Sequence, residues 1–364
     1  MITRLQLSGY KSIKQLDIRL ESINIFLGSN GVGKSNFISL FSMLRNLYQG
    51  NFQNYVEVKG GADSILHFGK KHTNSIELDI CFGSQARDNN RFIVEFESAQ
   101  DSLNIKSIDT AFLEPIHNKW HQKNFERNVK ESSFADISYG QAFYVNDYLQ
   151  EFDVYHFHDT GDQSPMKGKC YVDDNYRLNR DGSNLAAFLY FLQEKHPKHF
   201  KRIEMTIRSI TPFFDRFVLQ PSRLNEQYIQ LEWKEKGFPD AYFNSYHLSD
   251  GTLRFICLAT LLMQPEPPKT IIIDEPELGL HPVAVNKLAS LIRKVSKKSQ
   301  VIVSTQSINL IDNFEPENII VTDRKDNSST FRRLQSDELS SWLEDYTLGD
   351  IWGKNLFGAQ PYNM

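Results

Sequence analysis

Residues 28–35 read Gly28-Ser29-Asn30-Gly31-Val32-Gly33-Lys34-Ser35, and the fold turns on how this stretch is read. Its glycines allow backbone angles closed to other residues, so successive amides can turn inward around phosphate oxygens. Lys34 can reach the β- and γ-phosphates of a nucleoside triphosphate, and the Ser35 hydroxyl is a Mg²⁺ ligand. A glycine-rich match means little alone; here the flanks give it weight. Upstream, Ile2, Leu5 and Leu7, then Leu16, Ile18 and Leu20, then Ile23, Ile25 and Leu27 follow the period-two pattern of strands. Three short strands therefore lead into the loop. Downstream, Phe37, Leu40, Phe41, Leu44 and Leu47 recur at helical spacing, so a helix over 36–47 points its positive amino terminus at a bound phosphate.

Further along, residues 51–110 are expected to be more strands with polar turns, including 75–82 and 91–97. The stretch 114–138, rich in Asn, Lys, His and Ser, reads as a helical insertion or a loop. Residues 185–192 and 203–210 read as helices, and 227–233 and 242–246 as strands. From 249 the pattern becomes helix (252–263), strand (270–274), helix (283–295), strand (300–304), a short helix and strand (318–322). Strands alternating with helices argue for a largely parallel, buried sheet. The expected organisation is an amino-terminal lobe over 1–110, an inserted helical and β lobe over 111–245, and a carboxyl-terminal lobe over 246–364.

Two further stretches carry chemistry. In Thr270-Ile271-Ile272-Ile273-Asp274-Glu275-Pro276-Glu277, an apolar run delivers two carboxylates to the carboxyl end of a buried strand, where ligands bind in open α/β sheets. Asp274 is placed to join a Mg²⁺ shell, and Glu275 to polarise an attacking water as general base. A strand ending in solvated acids is common; an upstream phosphate loop makes that reading the weaker one. Leu248-Ser249-Asp250-Gly251-Thr252 opens an apolar helix, and taken singly it is simply a helix cap.

Taken together, these residues resemble a known group. Leu248–Thr252 looks like the signature loop of ABC-type ATPases, in an LSDGT form. With the phosphate loop, DEPELGLHP at 274–282 and Ser304-Thr305-Gln306-Ser307, the chain resembles the stand-alone SMC/RecF-like ATPases of the AAA_21 type. Softer likenesses at 9–13 (GYKSI), 60–69, 180–189 and 345–352 count only as a set. The resemblance implies an α/β fold: a P-loop ABC-ATPase head whose mixed β sheet is flanked by helices. It also implies an antiparallel β subdomain and a helical lobe inserted between phosphate loop and signature.

The implied chemistry is slow ATP hydrolysis with ATP and Mg²⁺ as cofactors. Lys11, Ser12, Asn30, Gly31, Gly33 and Asn36 join Lys34 and Ser35 around the nucleotide. Two heads sandwich two ATP molecules, and Ser249, Asp250 and Gly251 of one head face the γ-phosphate held by the other head's Lys34. A homodimer or higher homo-oligomer follows. Gln306 stands where relatives often carry a histidine; it donates a hydrogen bond but cannot become cationic. Gln49, Gln53 and Gln85 are the candidates for the glutamine that contacts Mg²⁺ in such ATPases. His281 is expected at the head–head interface. Related OLD-type chains carry a nuclease domain after the ATPase, and only a short tail follows Thr322 here. The resemblance therefore implies a separate effector polypeptide, a nuclease or similar, in antiphage defence or DNA maintenance.

Composition bounds the alternatives. A net charge of −4 over 364 residues lacks the basic excess of a dedicated nucleic-acid binder, which leaves DNA or RNA contact to local patches. The denser of these are 195–202 and 293–298, for which a solvated helix face is the default. Cys81, Cys170 and Cys257 are too few and too scattered for a disulfide framework or a zinc site, and reduced thiols are the simpler reading. His156, His158 and Asp159 have metal-ligand spacing along a strand but no further cluster joins them. No apolar run approaches membrane-spanning length, and no leader precedes the first strand, so a cytoplasmic protein without membrane contact is expected.

Overall fold

A computed structural model describes residues 1–84, 87–114, 116–358 and 360. It opens with the three expected strands, β1 (Ile2–Tyr10), β2 (Ile13–Arg19) and β3 (Ile23–Leu27), followed by helix α1 (Lys34–Tyr48). Two short helices come next, α2 (Phe52–Val58) and α3 (Ala62–Ile65), where strands are expected from the sequence. The β-forming Phe52, Tyr55 and Val56 mislead, because their spacing of three and four places them on one buried helical face. Four long strands follow: β4 (Ser75–Ser84), β5 (Arg87–Ala99), β6 (Ser102–Glu114) and β7 (Lys119–Val129).

Strand β7 replaces the helix or loop expected over 114–138. It is the edge of a six-stranded sheet ordered β2-β1-β4-β5-β6-β7, antiparallel throughout, and pairs Trp120 with Leu113 and His121 with Phe112. An edge strand needs one ladder of backbone hydrogen bonds and little apolar alternation, and its Lys and His side chains discourage further pairing. Its sequence pattern is therefore silent.

The chain continues through α4 (Gly140–Leu149), β8 (Val154–Tyr155), β9 (Cys170–Tyr171), α5 (Leu185–Lys195) and α6 (Pro197–Ile210). The expected strand over 227–233 is two short ones. β10 (Phe214–Phe217) precedes β11 (Tyr228–Ile229), β12 (Glu232–Glu235) and β13 (Phe238–Asn244). Helix α7 (Asp250–Met263), β14 (Thr270–Asp274), α8 (Pro282–Val295), β15 (Gln300–Thr305), α9 (Ile308–Ile311) and β16 (Ile319–Lys325) fall close to expectation. Beyond them lie β17 (Ser328–Arg333), α10 (Ser336–Leu343) and α11 (Leu348–Gly353).

A second six-stranded sheet has the order β17-β16-β3-β15-β14-β8. β3 runs parallel to both β15 and β16, and β17 returns antiparallel, so the sheet is mixed. β3 and β15 are buried along their whole length, which explains their unbroken apolar character.

Two compact units result. One comprises residues 1–154, 269–272 and 299–364; the other comprises 155–268 and 273–298. They interleave in sequence. The first unit has one continuous apolar core, from Ile2 and Leu5 through Phe37, Phe41, Phe92 and Phe134 to Ile302 and Ile320. Among the described residues, no helix is long and apolar enough to cross a membrane.

Candidate functional site

In the first unit, β3 ends at Leu27 in register with Thr305 of β15, and the glycine loop springs from that edge. Gly31 and Gly33 have φ of +83° and +114°. Gly33 is required twice over, because a Cβ there would lie 2.0 Å from Ser329 Oγ and 2.8 Å from Ser12 Oγ. Helix α1 begins immediately after with no side-chain cap and no acidic residue in its first turn. Its dipole favours an anion at that end, such as a triphosphate. Asn30, Gly31 and Ser35 are exposed, whereas Lys34 is 4% exposed. Lys34 Nζ donates to the carbonyls of Gly28 and Ser29 at 2.7 and 2.9 Å, arching over the loop.

The loop is braced from three elements. Ser329 Oγ donates to Val32 O at 2.6 Å and meets Ser12 Oγ at 2.7 Å, and Asn36 Nδ2 donates to Ser12 Oγ at 2.7 Å. Lys11, beside Ser12, donates from Nζ to Ser39 Oγ at 2.8 Å; burial pushes its ammonium down to about 8. Lys11 and Asn36 also line an open cavity of about 910 Å³ together with Asp63, Phe68, Lys70 and His72. Ser329 is absent from the sequence expectation because β17 is. Its signal is the Asp326-Asn327 pair, a two-residue hairpin turn with both residues at positive φ. Gln306 follows β15 directly and is half-buried, so it sits at the same sheet edge as the loop.

The second unit holds the other candidate residues. Ser249 caps α7, and its Oγ accepts from Thr252 N at 3.2 Å. Asp250 is exposed and pairs with the buried Lys167 at 3.6 Å. A Cβ on Gly251 would lie 2.4 Å from Gly279 O, so only glycine lets the start of α7 approach the loop after Glu275. Asp274 ends β14 half-buried, and Glu275 has φ +43°, left-handed for a non-glycine residue. His281 Nδ1 accepts from Val283 N at 3.3 Å and caps α8.

Arg254, near the amino end of α7, ties these parts together. Its guanidinium donates to Leu278 O at 2.6 Å, Phe157 O at 3.0 Å and His158 O at 2.7 Å. His158 in turn donates from Nε2 to Asp274 O at 2.7 Å. Neither residue is visible as a partner in the sequence, since the bonds to Phe157, His158 and Asp274 span 97, 96 and 116 positions. Among the described residues, no three His, Cys, Asp or Glu side chains gather to hold a metal. Gln53 is engaged with Leu103 O and Lys130 O, both at 2.8 Å, Gln49 ends α1, and Gln85 lies outside the described residues. All three cysteines are free thiols.

Known proteins resemble this chain in sequence and in fold. Over 82 residues, 22% of this chain, it is 34% identical to the energy-coupling factor transporter ATP-binding protein EcfA of Methanocaldococcus jannaschii; the match spans 28% of that relative. In fold the chain is similar to an Smc head bound to the C-winged helix domain of ScpA, with TM-score 0.60 and 18% identity, covering 93% of this chain and 99% of that one. The Smc head of Pyrococcus furiosus, with an extended coiled coil and bound to the C-terminal domain of ScpA, gives 0.58 and 15%, covering 94% and 98%. The AAA_21 family, described as "AAA domain, putative AbiEii toxin, Type IV TA system", matches residues 23–312. The chain thus belongs to the AAA_21 family and is a P-loop ATPase of the ABC/SMC-like type.

Proposed function

We propose that this protein is an ATP-hydrolysing switch that assembles through ATP-sandwiched heads and regulates a separate effector protein. The observation that carries the proposal is the braced loop Gly28–Ser35 with the uncapped start of α1. There, fixed amides and a helix dipole are ready for three phosphates without reorganising. Lys34 exchanges the carbonyls of Gly28 and Ser29 for the β- and γ-phosphates. The cavity beside Lys11 and Asn36 leaves room for the ribose and base. Ser35 and Asp274 would hold Mg²⁺, which neutralises developing charge on the phosphates when bound. Glu275 takes the proton of the attacking water.

In this reading, the second copy supplies Ser249, Asp250 and Gly251. Ser249 Oγ accepts from Thr252 N and meets Thr252 Oγ1 at 2.8 Å; with the Thr252 hydroxyl as donor of that pair, the Ser249 O–H turns to a γ-phosphate. Gln306 donates without charge, which supports slow turnover and a role in timing rather than metabolism. The type IV toxin–antitoxin system in the family's description supports a two-protein arrangement in defence or DNA maintenance. The Gln306 substitution also favours a second reading, an ATP-binding scaffold with little turnover.

Phosphate release by wild type and Glu275→Gln separates the two. The switch reading expects the variant to lose on the order of a hundredfold in rate, as for removal of a general base. It also expects the ATP·Mg²⁺-dependent dimer to accumulate in sedimentation. Equal rates favour the scaffold, and no ATP-dependent assembly in either protein removes the sandwich.

A further inference from the structure

His156, His158 and Asp159 look like metal ligands in the sequence, but the structure gives His158 a different task. Its Nε2 lies 2.7 Å from the backbone carbonyl oxygen of Asp274. A carbonyl only accepts, so Nε2 carries the hydrogen. The peptide so gripped joins Asp274 to Glu275. Glu275 has φ +43°, a conformation that a glutamate holds only when its surroundings over-determine it. The carbonyl of His158 itself accepts Arg254 Nη2 at 2.7 Å, and Arg254 fixes Phe157 O and Leu278 O as well. One unbroken run of hydrogen bonds therefore leads from the start of α7, through His158, to the peptide that aims Glu275.

We infer that His158 is a positioning residue for Glu275: its Nε2–H sets the plane of the Asp274–Glu275 peptide and ties it to the amino end of α7. Rotation of that peptide plane moves ψ of Asp274 and φ of Glu275 together, so both carboxylates swing with it. Without the donor, Glu275 is released toward negative φ and its carboxylate leaves the direction that water activation requires. A contact made at the start of α7 reaches Glu275 by the same route, through Arg254. The inference rests on the reading of Glu275 as general base.

The test is steady-state phosphate release by wild type, His158→Ala, His158→Phe and His158→Gln, with thermal melting of each. The glutamine amide nitrogen reaches about as far as Nε2 and donates in the same direction. The Ala and Phe variants are expected to lose on the order of tenfold to a hundredfold in kcat, the usual cost of removing an outer positioning partner. KM for ATP should stay within about twofold, since no nucleotide contact is touched. The Gln variant should recover most of the rate. Unchanged kcat in the Ala and Phe variants overturns the inference, as does a Gln variant that melts like wild type yet is as slow as Ala. A rise in KM at constant kcat overturns it too, by moving His158 into binding. A wild type that releases no phosphate removes the Glu275 reading, and the role of His158 falls with it. An active wild type matched by the Ala variant removes the role of His158 alone.

Discussion

The phosphate loop and the start of α7 are both glycine-dependent, but for opposite reasons. Gly33 is hemmed in by side chains, Ser329 and Ser12, so the loop's shape is enforced within its own unit. Gly251 is hemmed in by a backbone carbonyl, Gly279 O, and its neighbours Ser249 and Asp250 face solvent. The first region is a finished cradle. The second, in the proposed sandwich, is a surface whose chemistry a docking head completes. A preorganised site has met its ordering cost during folding, whereas an exposed one meets it on binding.

The largest effect that could break this contrast comes from Lys34→Ala. The loss of charge-assisted contacts worth about 1.5–3 kcal/mol each should weaken ATP binding by roughly a hundredfold or more. Calorimetric titration of the monomeric protein reads it directly, and near-normal affinity would mean that the cradle is not where ATP is held. A smaller and more selective effect is expected from Gly251→Ala. Crowding Gly279 by about 1–3 kcal/mol should weaken ATP-dependent assembly about tenfold while leaving monomer affinity unchanged. If sedimentation and titration fall together, the two regions are not separate.

The smallest effect sharpens the cradle side. Burial has lowered Lys11 to about 8, so it is charged below that pH and neutral above it. ATP affinity should therefore decline a few-fold as pH rises from about 7 to about 9. Lys11→Arg, which stays protonated, should flatten the profile; an identical decline in the variant assigns the titration elsewhere.

The sequence made some of this legible and hid the rest for physical reasons. β3, α1, α7, β14 and β15 announce themselves because each buries an apolar run or stripe next to a motif. β7 and β17 do not, being edge strands held by backbone ladders and carrying polar side chains. α2 was disguised by residues that favour strands. Lys34, Ser35, Asp274 and Glu275 stand out as candidates from their motifs, and Ser249 and Gly251 from the family resemblance. Ser329, Arg254 and His158 do not, because their partners are 317, 97 and 116 positions away. Only the fold brings them together.

That separation bears on how the protein is made. The brace on the phosphate loop needs Ser12 from the beginning of the chain and Ser329 from near the end of the hairpin Asp326-Asn327 closes. A nascent chain displays Gly28–Ser35 long before the ribosome has produced β17, and during that interval nothing from β17 presses on Gly33. Loop closure over so many residues is among the late events of folding. The brace on the phosphate loop therefore forms only after β17 has been made.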